Sequence, residues 1–141
     1  MQNLLNKPII NFIPQRPPFV LVDRILECTK DFTISSFEVV ASHLLCVDGF
    51  LQEGGLIENI AQTAAAGHGL YMRSQNKDVV RGFIGSVKKL QIHQLPETNS
   101  VLTTKIENIS EVMNVNIVRG TVADEQGKIY ADCEMNIFLE N

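Results

Sequence analysis

The segment at residues 53–69 constrains the fold of this chain most, because it is a helix with almost no polar face. A Gly-Gly pair at 54–55 permits a sharp turn or a close backbone approach, and mostly apolar or small helix formers follow it. The alanines and glycines of this run leave a thin rod. Such a rod suits a helix enclosed on several sides rather than one lying on a surface. We therefore expect one buried central helix.

Glu58 and Gln62 are the polar residues that stand out in this run. Their i,i+4 spacing places both side chains on one face of the helix. A carboxylate held where water is scarce tends to have a raised pKa and usable acid–base chemistry. Glu58 is therefore a catalytic candidate, although an acid in a first helical turn is also stabilising without any catalytic role. For Gln62, a structural role is the main alternative.

The rest of the chain predicts six β-strands. The clearest is 129–139, where an apolar face alternates with a more polar one. The segment 114–123 should pair with it as a hairpin across a turn that contains Gly127. The other predicted strands are 19–28, 33–40, 79–90 and 101–109. Together these patterns indicate one α+β domain over residues 1–141, with an antiparallel sheet of about five to six strands wrapped around one long central helix.

Composition narrows the classes of protein that the chain could belong to. At 141 residues, 45% of them hydrophobic and without an apolar run of about 18 residues, it predicts a soluble globular domain with no membrane span. We see no signal peptide and expect a cytoplasmic location. Three cysteines without close spacing indicate neither a disulfide framework nor a zinc site, and we predict no metal or cofactor. A net charge of −4 favours small molecules and proteins over nucleic acid as partners.

Three motifs in order carry a resemblance to a known family. The sequence P-Q-R-P-P-F-V-L-V-D-R at 14–24 resembles the P-H-R-x-P-F-L-L-V-D-R motif of the 3-hydroxyacyl-[acyl-carrier-protein] dehydratases. The helix sequence at 58–62 is similar to that family's E-A-x-A-Q, and F-I-G at 83–85 resembles its F-x-G strand. The resemblance implies the hotdog fold. It also implies the usual homodimer, in which two sheets join edge to edge and the active sites lie at the subunit interface.

One motif of the family is missing. The family carries G-H-F-P-G about fourteen residues before its helix acid, and that histidine removes the C2 proton of the substrate; this chain has no such motif. Counting forward from Asp23 without gaps puts Phe50 at the histidine position. Counting backward from Glu58 instead brings His43 close to the family's spacing. The base is therefore His43 or another residue such as Asp48, while a core or strand-end role is the alternative for His43.

The chemistry of the family assigns roles to several residues by resemblance. Dehydration of a 3-hydroxyacyl thioester to the trans-2-enoyl thioester needs a base, an acid and donors for the developing enolate oxygen. The resemblance implies that Glu58 is the acid and Gln62 an orienting group. Backbone N–H groups near Gly54 and Gly55 would face the thioester oxygen. We place Phe50 and Gly85 among the substrate-binding residues.

Two other histidines are expected to be structural. His68 lies in Gly-His-Gly after the alanines and is expected at the C-terminus of the helix. His93 alternates with apolar residues on a predicted strand, and we assign it no chemistry.

Basic residues concentrate between positions 73 and 89, where five of the twelve in the chain oppose the single acid Asp78. In an acidic chain this concentration favours a docking patch for an acidic acyl carrier protein and the phosphate of its pantetheine arm. We assign docking to Arg81, Lys88 and Lys89. A solvated charged face is the alternative.

Three functions follow from these features. The first is dehydration of a 3-hydroxyacyl group on acyl carrier protein, in fatty-acid-like or specialised lipid or polyene biosynthesis. The second is a hotdog acyl thioesterase, in which the helix carboxylate activates water or attacks the thioester and no histidine is required. The third is a non-catalytic acyl-binding subunit that partners a dehydratase.

Overall fold

The computed structural model describes residues 1–140 and contains one long helix among eight strands. In chain order the elements are α1 (Gln2–Leu5), a 3-10 turn (Ile9–Asn11), β1 (Arg24–Cys28), β2 (Phe32–Glu38), β3 (Cys46–Val47), β4 (Phe50–Leu51), α2 (Glu53–Ser74), β5 (Gly82–Ile92), β6 (Val101–Val112), β7 (Val115–Ala123) and β8 (Ile129–Leu139).

Six of the strands form one antiparallel sheet in the order β1-β2-β6-β7-β8-β5. The remaining two, β3 and β4, form a short hairpin immediately before α2. The predicted α+β architecture, a six-stranded antiparallel sheet around one long helix, is confirmed. Because β1 and β5 lie at the two edges, each has one side that is not paired within the sheet.

Helix α2 is longer than the sequence pattern indicated, at 22 residues. The expectation that His68 ends the helix is wrong, since α2 continues to Ser74. The glycines that suggested an end serve packing instead. A side chain at Gly67 would overlap Thr33 of β2, and one at Gly69 would lie 3.1 Å from the carbonyl oxygen of Phe12.

The predicted strand at 19–28 is too long at its start, because β1 begins at Arg24. Its first residues are bound by side chains of α2 and are not part of the sheet ladder. The strand expected at 79–90 is displaced to Gly82–Ile92. Strands β6, β7 and β8 follow the expected segments closely, and β6 is longer by three residues.

Apolar residues enclose α2 on more than one side. The larger core cluster lies between α2 and the inner face of the sheet and includes Leu56, Ile60, Leu102 and Val122. A second cluster packs the N-terminal lead and β1 against the later turns of the helix; its members are Phe12, Ile13, Val22, Ile25, Cys28, Ala66 and Leu70. The helix is therefore the enclosed rod that its composition predicts. In the described residues, no helix is long and apolar enough to cross a membrane.

Candidate functional site

Glu58 and Gln62 meet on one face of α2. Glu58 Oε2 accepts a hydrogen bond of 2.9 Å from Gln62 Nε2. Gln62 is almost fully buried: its Nε2 also donates to the carbonyl oxygen of Phe19 at 3.0 Å, and its Oε1 accepts the N–H of Leu21 at 2.8 Å. The backbone of the Phe19–Leu21 segment thus fixes the amide, and the amide orients the half-buried carboxylate.

The position of Glu58 in the helix bears on its role. Helix α2 begins at Glu53, which is the acid of the first turn. Glu58 lies in the second turn, and the favourable effect of the helix dipole on an acid declines beyond the first turn. The structural alternative for a first-turn acid therefore applies to Glu53. The catalytic role of Glu58 stays a prediction.

Asn59 is a polar residue of this region to which the sequence pattern gave no role. It is fully buried, and its Nδ2 donates to the carbonyl oxygen of Leu21 at 2.7 Å. Its Oδ1 accepts from the hydroxyl of Thr104 on β6. Asn59 and Gln62, three residues apart, together hold the segment before β1 against the helix. The signal in the sequence was an amide beside Glu58 in an otherwise apolar run.

His43 lies between β2 and β3 and has backbone partners at both ring nitrogens. Its Nδ1 accepts the N–H of Leu45 at 3.1 Å, and its Nε2 lies 3.1 Å from the carbonyl oxygen of Val20. These partners fit the tautomer in which Nε2 donates and Nδ1 accepts. Phe37 packs against the ring in an edge-to-face arrangement. Both ring nitrogens are thus engaged with the main chain, and neither is hydrogen-bonded to Glu58.

Gly54 and Gly55 lie in the first turn of α2 and differ in what their N–H groups contact. The N–H of Gly55 donates to the carbonyl oxygen of Gln52 at 2.9 Å, and a side chain at Gly55 would crowd Leu51. Gly54 is exposed and has open space around its α-carbon. Since the first N–H groups of a helix have no acceptor within the helix, Gly54 offers the more accessible donor.

Phe50 and His43 line two different clefts. Phe50, on β4, lines a cleft of about 570 Å³ together with Gln94, Leu95 and Tyr130. His43 lines a second cleft of about 450 Å³ beside the N-terminal lead. Glu58 lines neither cleft in residues 1–140. Within one chain, the structure therefore does not gather Phe50, His43 and Glu58 into one cavity.

Gly85 lies on the edge strand β5, beneath an aromatic ring. A side chain at Gly85 would overlap the ring of Phe138 on the neighbouring strand β8. Packing against Phe138 therefore explains why this position is a glycine. The part of Gly85 in substrate binding stays a prediction. The residues that precede it, Phe83 and Ile84, are large exposed hydrophobics.

The basic residues assigned to docking are spread along β5. Arg81 precedes the strand, and its guanidinium lies over the ring of Phe83 at 5.7 Å. Lys88 and Lys89 lie in the second half of the strand. Lys88 is roughly 23 Å from Arg81, at about 3.3 Å per residue. Both are exposed, and the ammonium of Lys89 lies 3.7 Å from Glu134. The three cations therefore form an extended row and not one compact cluster.

Ionisable groups away from Glu58 form other contacts. The Asp132 carboxylate on β8 lies 3.1 Å from Nε2 of His93 and 3.2 Å from a guanidinium nitrogen of Arg119. Burial raises the pKa of the Cys133 thiol to about 11, and the neighbouring Asp132 carboxylate adds to the effect. Burial lowers the pKa of His68, while the charge of Glu111 opposes that shift. Over residues 1–140, no three His, Cys, Asp or Glu side chains are grouped so as to hold a metal ion.

Comparison with solved structures identifies the fold. The dehydratase heterocomplex ApeI:P from Xenorhabdus doucetiae is similar with a TM-score of 0.81 and 16% identity, covering 96% of this chain and 92% of that one. A hypothetical thioesterase with coenzyme A from Streptococcus pneumoniae TIGR4 gives 0.66 at 16% identity, with coverage of 83% and 84%. The PaaI protein of E. coli gives 0.64 at 12% identity, with coverage of 81% and 80%. These neighbours confirm the hotdog fold.

The sequence assigns the chain to a family within that fold. Residues 7–141 match the ApeP-like family, described as ApeP dehydratase, and the chain belongs to this family. The resemblance to hotdog dehydratases drawn from the three motifs is thereby confirmed. Among curated proteins, none matches the sequence significantly.

Proposed function

We propose that this protein dehydrates a 3-hydroxyacyl thioester carried on acyl carrier protein to the trans-2-enoyl thioester, with Glu58 as the acid. The observation that carries the proposal is the 2.9 Å hydrogen bond from Gln62 to the half-buried Glu58 carboxylate. Membership of a dehydratase family supports the class of reaction. Fatty-acid-like or specialised lipid or polyene biosynthesis is the proposed setting of the reaction, and the cytoplasm is its proposed location.

The proposed step moves two protons and breaks one carbon–oxygen bond. A base removes the C2 proton, the C2–C3 double bond forms, and the C3–O bond breaks as Glu58 protonates the departing hydroxyl to give water. Because Glu58 Oε2 accepts the hydrogen bond from Gln62 Nε2, Glu58 Oε1 is the oxygen that carries the transferable proton. The accessible N–H of Gly54 at the start of α2 stabilises the negative charge on the thioester oxygen.

The proposal has two forms, which differ in the source of the catalytic base. In the first, His43 is the base, and it must give up the hydrogen bond from Leu45 N–H to free a lone pair. In the second, this chain is one subunit of a composite dehydratase and another chain supplies the base. The engaged ring nitrogens of His43 favour the second form, as does Phe50 at the position of the family histidine. The similar structure from X. doucetiae is itself a dehydratase heterocomplex.

We propose that subunits pair through β5. This strand has 11 residues and lies at the edge of the sheet. A long edge with unpaired backbone groups is a ready surface for pairing with another strand. The exposed apolar side chains of Phe83, Ile84 and Leu90 support an interface there. Pairing with a second copy gives a homodimer, and pairing with a different hotdog chain gives a heteromer.

The mass of a carrier-bound substrate tests the proposal. A 3-hydroxyacyl carrier protein is incubated with the protein alone, and then with an added hotdog subunit that retains the Gly-His-Phe-Pro-Gly motif. Loss of one water with the protein alone supports the first form. Loss of water that also needs this chain's Glu58 in the mixture supports the composite form. Release of free acid indicates a thioesterase, and intact substrate in both incubations contradicts the dehydratase proposal.

A variant at His43 separates the two forms. His43→Phe removes both ring nitrogens and keeps an aromatic ring beside Phe37. If His43 is the base, the variant loses at least about a hundredfold in rate. If another chain supplies the base, the dehydration rate of the mixture should change little. Any change then comes from disturbance of the segment between β2 and β3, caused by loss of the Val20 and Leu45 contacts. Thermal unfolding of the variant measures that disturbance.

A further inference from the structure

A chain of buried side-chain hydrogen bonds connects the inner face of the sheet to α2. The Thr104 hydroxyl on β6 donates to Oδ1 of Asn59 on the helix. The Thr63 hydroxyl donates to the carbonyl oxygen of Asn59 at 2.7 Å, and the Ser35 hydroxyl on β2 lies 2.7 Å from that of Thr63. All four residues are 0% exposed. Because buried polar groups are unfavourable when unpaired, the chain fixes one arrangement of its members.

The number of hydrogens on each hydroxyl sets the direction of this chain. A hydroxyl carries one hydrogen, and Thr63 uses its own for the carbonyl oxygen of Asn59. Ser35 therefore donates to Thr63. The carbonyl oxygen of Leu21 can only accept, so it turns Nδ2 of the Asn59 amide towards Leu21 and Oδ1 towards Thr104. The amide cannot flip without losing both bonds.

The two anchor points in the sheet lie side by side. Ser35 and Thr104 are direct cross-strand partners in the β2–β6 ladder. On the helix, Asn59 and Thr63 are four residues apart and share one face. Two adjacent points of the sheet thus hold two points of one helix face, which fixes the rotation of α2 about its own axis.

Asn59 extends the chain to the backbone of Leu21. Asn59 Nδ2 donates to the carbonyl oxygen of Leu21 at 2.7 Å, and Gln62 Oε1 accepts the N–H of the same residue at 2.8 Å. Leu21 is 1% exposed and precedes the first residue of β1. Both backbone polar groups of Leu21 are therefore held by side chains of α2.

The Gln62 amide connects this arrangement to the carboxylate of Glu58. Its Nε2 donates to Glu58 Oε2 at 2.9 Å. Because an amide is planar and rigid, Nε2 must move when Oε1 follows a displaced Leu21 N–H. A shift of Leu21 therefore changes the direction from which the carboxylate is held. Asn59 opposes that shift, although its own amide binds Leu21 and Thr104 and not the carboxylate.

We propose that Asn59 is a positioning residue for the Glu58 acid and that Thr104 anchors it. Asn59 holds the Leu21 backbone, that backbone holds the Gln62 amide, and the amide holds the carboxylate in the direction that protonates the departing hydroxyl. Proton transfer needs a donor within about 2.6–3.2 Å of its acceptor, and a misplacement of about 1 Å lowers the rate by about a hundredfold. This inference rests on the proposed function, because it takes Glu58 to be the acid of that reaction.

Thr104→Val tests the inference, because it keeps the shape of the side chain and removes the donor to Asn59. We expect kcat for dehydration of a 3-hydroxyacyl carrier protein to fall by about 10–100-fold. KM should stay within about twofold of wild type, since the fully buried Thr104 side chain lies out of reach of substrate. Thr104→Ser keeps the hydroxyl and should restore kcat. The assay uses the protein alone or the mixture with the second hotdog subunit, whichever is active for the wild type.

Ser35→Ala is the matched control for a loss of stability. It also removes one buried hydroxyl from the chain, but it leaves the bonds of Asn59 to Thr104 and Leu21 in place. We expect the urea midpoints of Ser35→Ala and Thr104→Val to fall by similar amounts, and only Thr104→Val to lose kcat. Amide hydrogen exchange at the N–H of Leu21, measured without substrate, should be about tenfold faster in Thr104→Val than in Ser35→Ala, the effect of weakening one hydrogen bond.

Three results would overturn the inference. They are a wild-type kcat in Thr104→Val, an equal loss of kcat in Ser35→Ala and Thr104→Val, and equal exchange at the N–H of Leu21 in these two variants. If the wild type removes water and Glu58→Gln does not, while Thr104→Val keeps full kcat, the proposed reaction stands and the positioning role falls. If the wild type leaves the substrate intact in both incubations, the reaction falls and the positioning role falls with it.

Discussion

Gln62 donates to Glu58 across one turn of α2 at 2.9 Å, and the amide is the more deeply buried of the two side chains. The same amide binds the backbone of Phe19 and Leu21. Those two residues belong to the motif at 14–24, while Gln62 belongs to the motif at 58–62. The two motifs are therefore one structural unit, in which side chains of the second hold the backbone of the first.

Loss of the Gln62 amide should weaken both the fold and the site. Gln62→Leu keeps similar volume but leaves the N–H of Leu21 and the carbonyl of Phe19 without partners. We expect the free energy of unfolding to fall by about 2–6 kcal/mol, at about 1–3 kcal/mol for each of the two unpaired groups. Urea unfolding measures the change. Gln75→Leu is the control, since Gln75 is exposed and its side-chain amide donates to the Ser74 hydroxyl in an exposed contact rather than to a buried group. Equal stability of the two variants would show that the amide does not hold this segment.

Gly67 and Gly54 should respond in opposite ways to the same substitution. Gly67→Ala pushes a methyl group into Thr33, and we expect a loss of about 1–3 kcal/mol from overpacking. Gly54→Ala places its methyl in open space at the start of α2 and should stabilise the fold by about 0.5–1 kcal/mol. Thermal unfolding of the two variants side by side checks the difference. A neutral Gly67→Ala would mean that α2 and β2 can separate without loss.

The three thiols should differ in reactivity. Cys46 is half-buried, whereas Cys28 and Cys133 are buried. We expect iodoacetamide to label Cys46 first in the native protein and the other two only after unfolding, as followed by mass spectrometry. Cys46→Ser should remove the native labelling. Early labelling of Cys133 would contradict the burial that raises its pKa.

The raised pKa of Cys133 also makes the stability of the folded protein depend on pH. In the folded protein its pKa is about 11, against a usual value of 9.0. The unfolded chain therefore loses this proton first as the pH rises. The stability that the protonated thiol contributes is full below pH 9 and is lost as the pH rises to about 11. Wild type should lose more stability over this interval than Cys133→Ala in denaturant titrations at pH 8 and pH 10.5. Parallel losses would contradict the shift.

Reversal of charge on β5 tests the docking assignment. Lys88→Glu with Lys89→Glu should weaken binding of an acyl carrier protein, and added salt should reduce the difference from wild type, since exposed charges are screened. Lys7→Glu with Lys30→Glu is the control, because both lysines are exposed, lie outside β5 and change the net charge by the same amount. Surface plasmon resonance at two salt concentrations measures both effects. Unchanged affinity after the double reversal would reject this row of cations as the docking surface.

Local pattern was enough to predict the helix and the long strands. The alternation at 129–139 and the apolar run at 53–69 each follow from the repeat of one element, and the paired position of Glu58 and Gln62 follows from helix geometry. The order of the three motifs also led to the hotdog fold, which the structural neighbours confirm.

Contacts between distant parts of the chain could not be predicted in the same way. Residues 19–23 have the composition of a strand. Their backbone groups are nevertheless bound by the side chains of Asn59 and Gln62, and not by a neighbouring strand. Gly67 and Gly69 suggested a helix end, because nothing in their own segment shows that Thr33 and Phe12 pack against them. The partners of His43 are likewise set by the position of Val20, 23 residues away.

The rate at which Glu58→Gln removes water from a 3-hydroxyacyl carrier protein tests the central claim most directly. The variant keeps the shape of the side chain and removes the acid, while Glu53→Gln removes the neighbouring first-turn acid as a control. With mass spectrometry of the carrier as the readout, we predict that Glu58→Gln slows dehydration by about 10²–10⁴-fold and that Glu53→Gln stays near wild type. A Glu58→Gln protein that dehydrates the substrate at the wild-type rate would contradict the account.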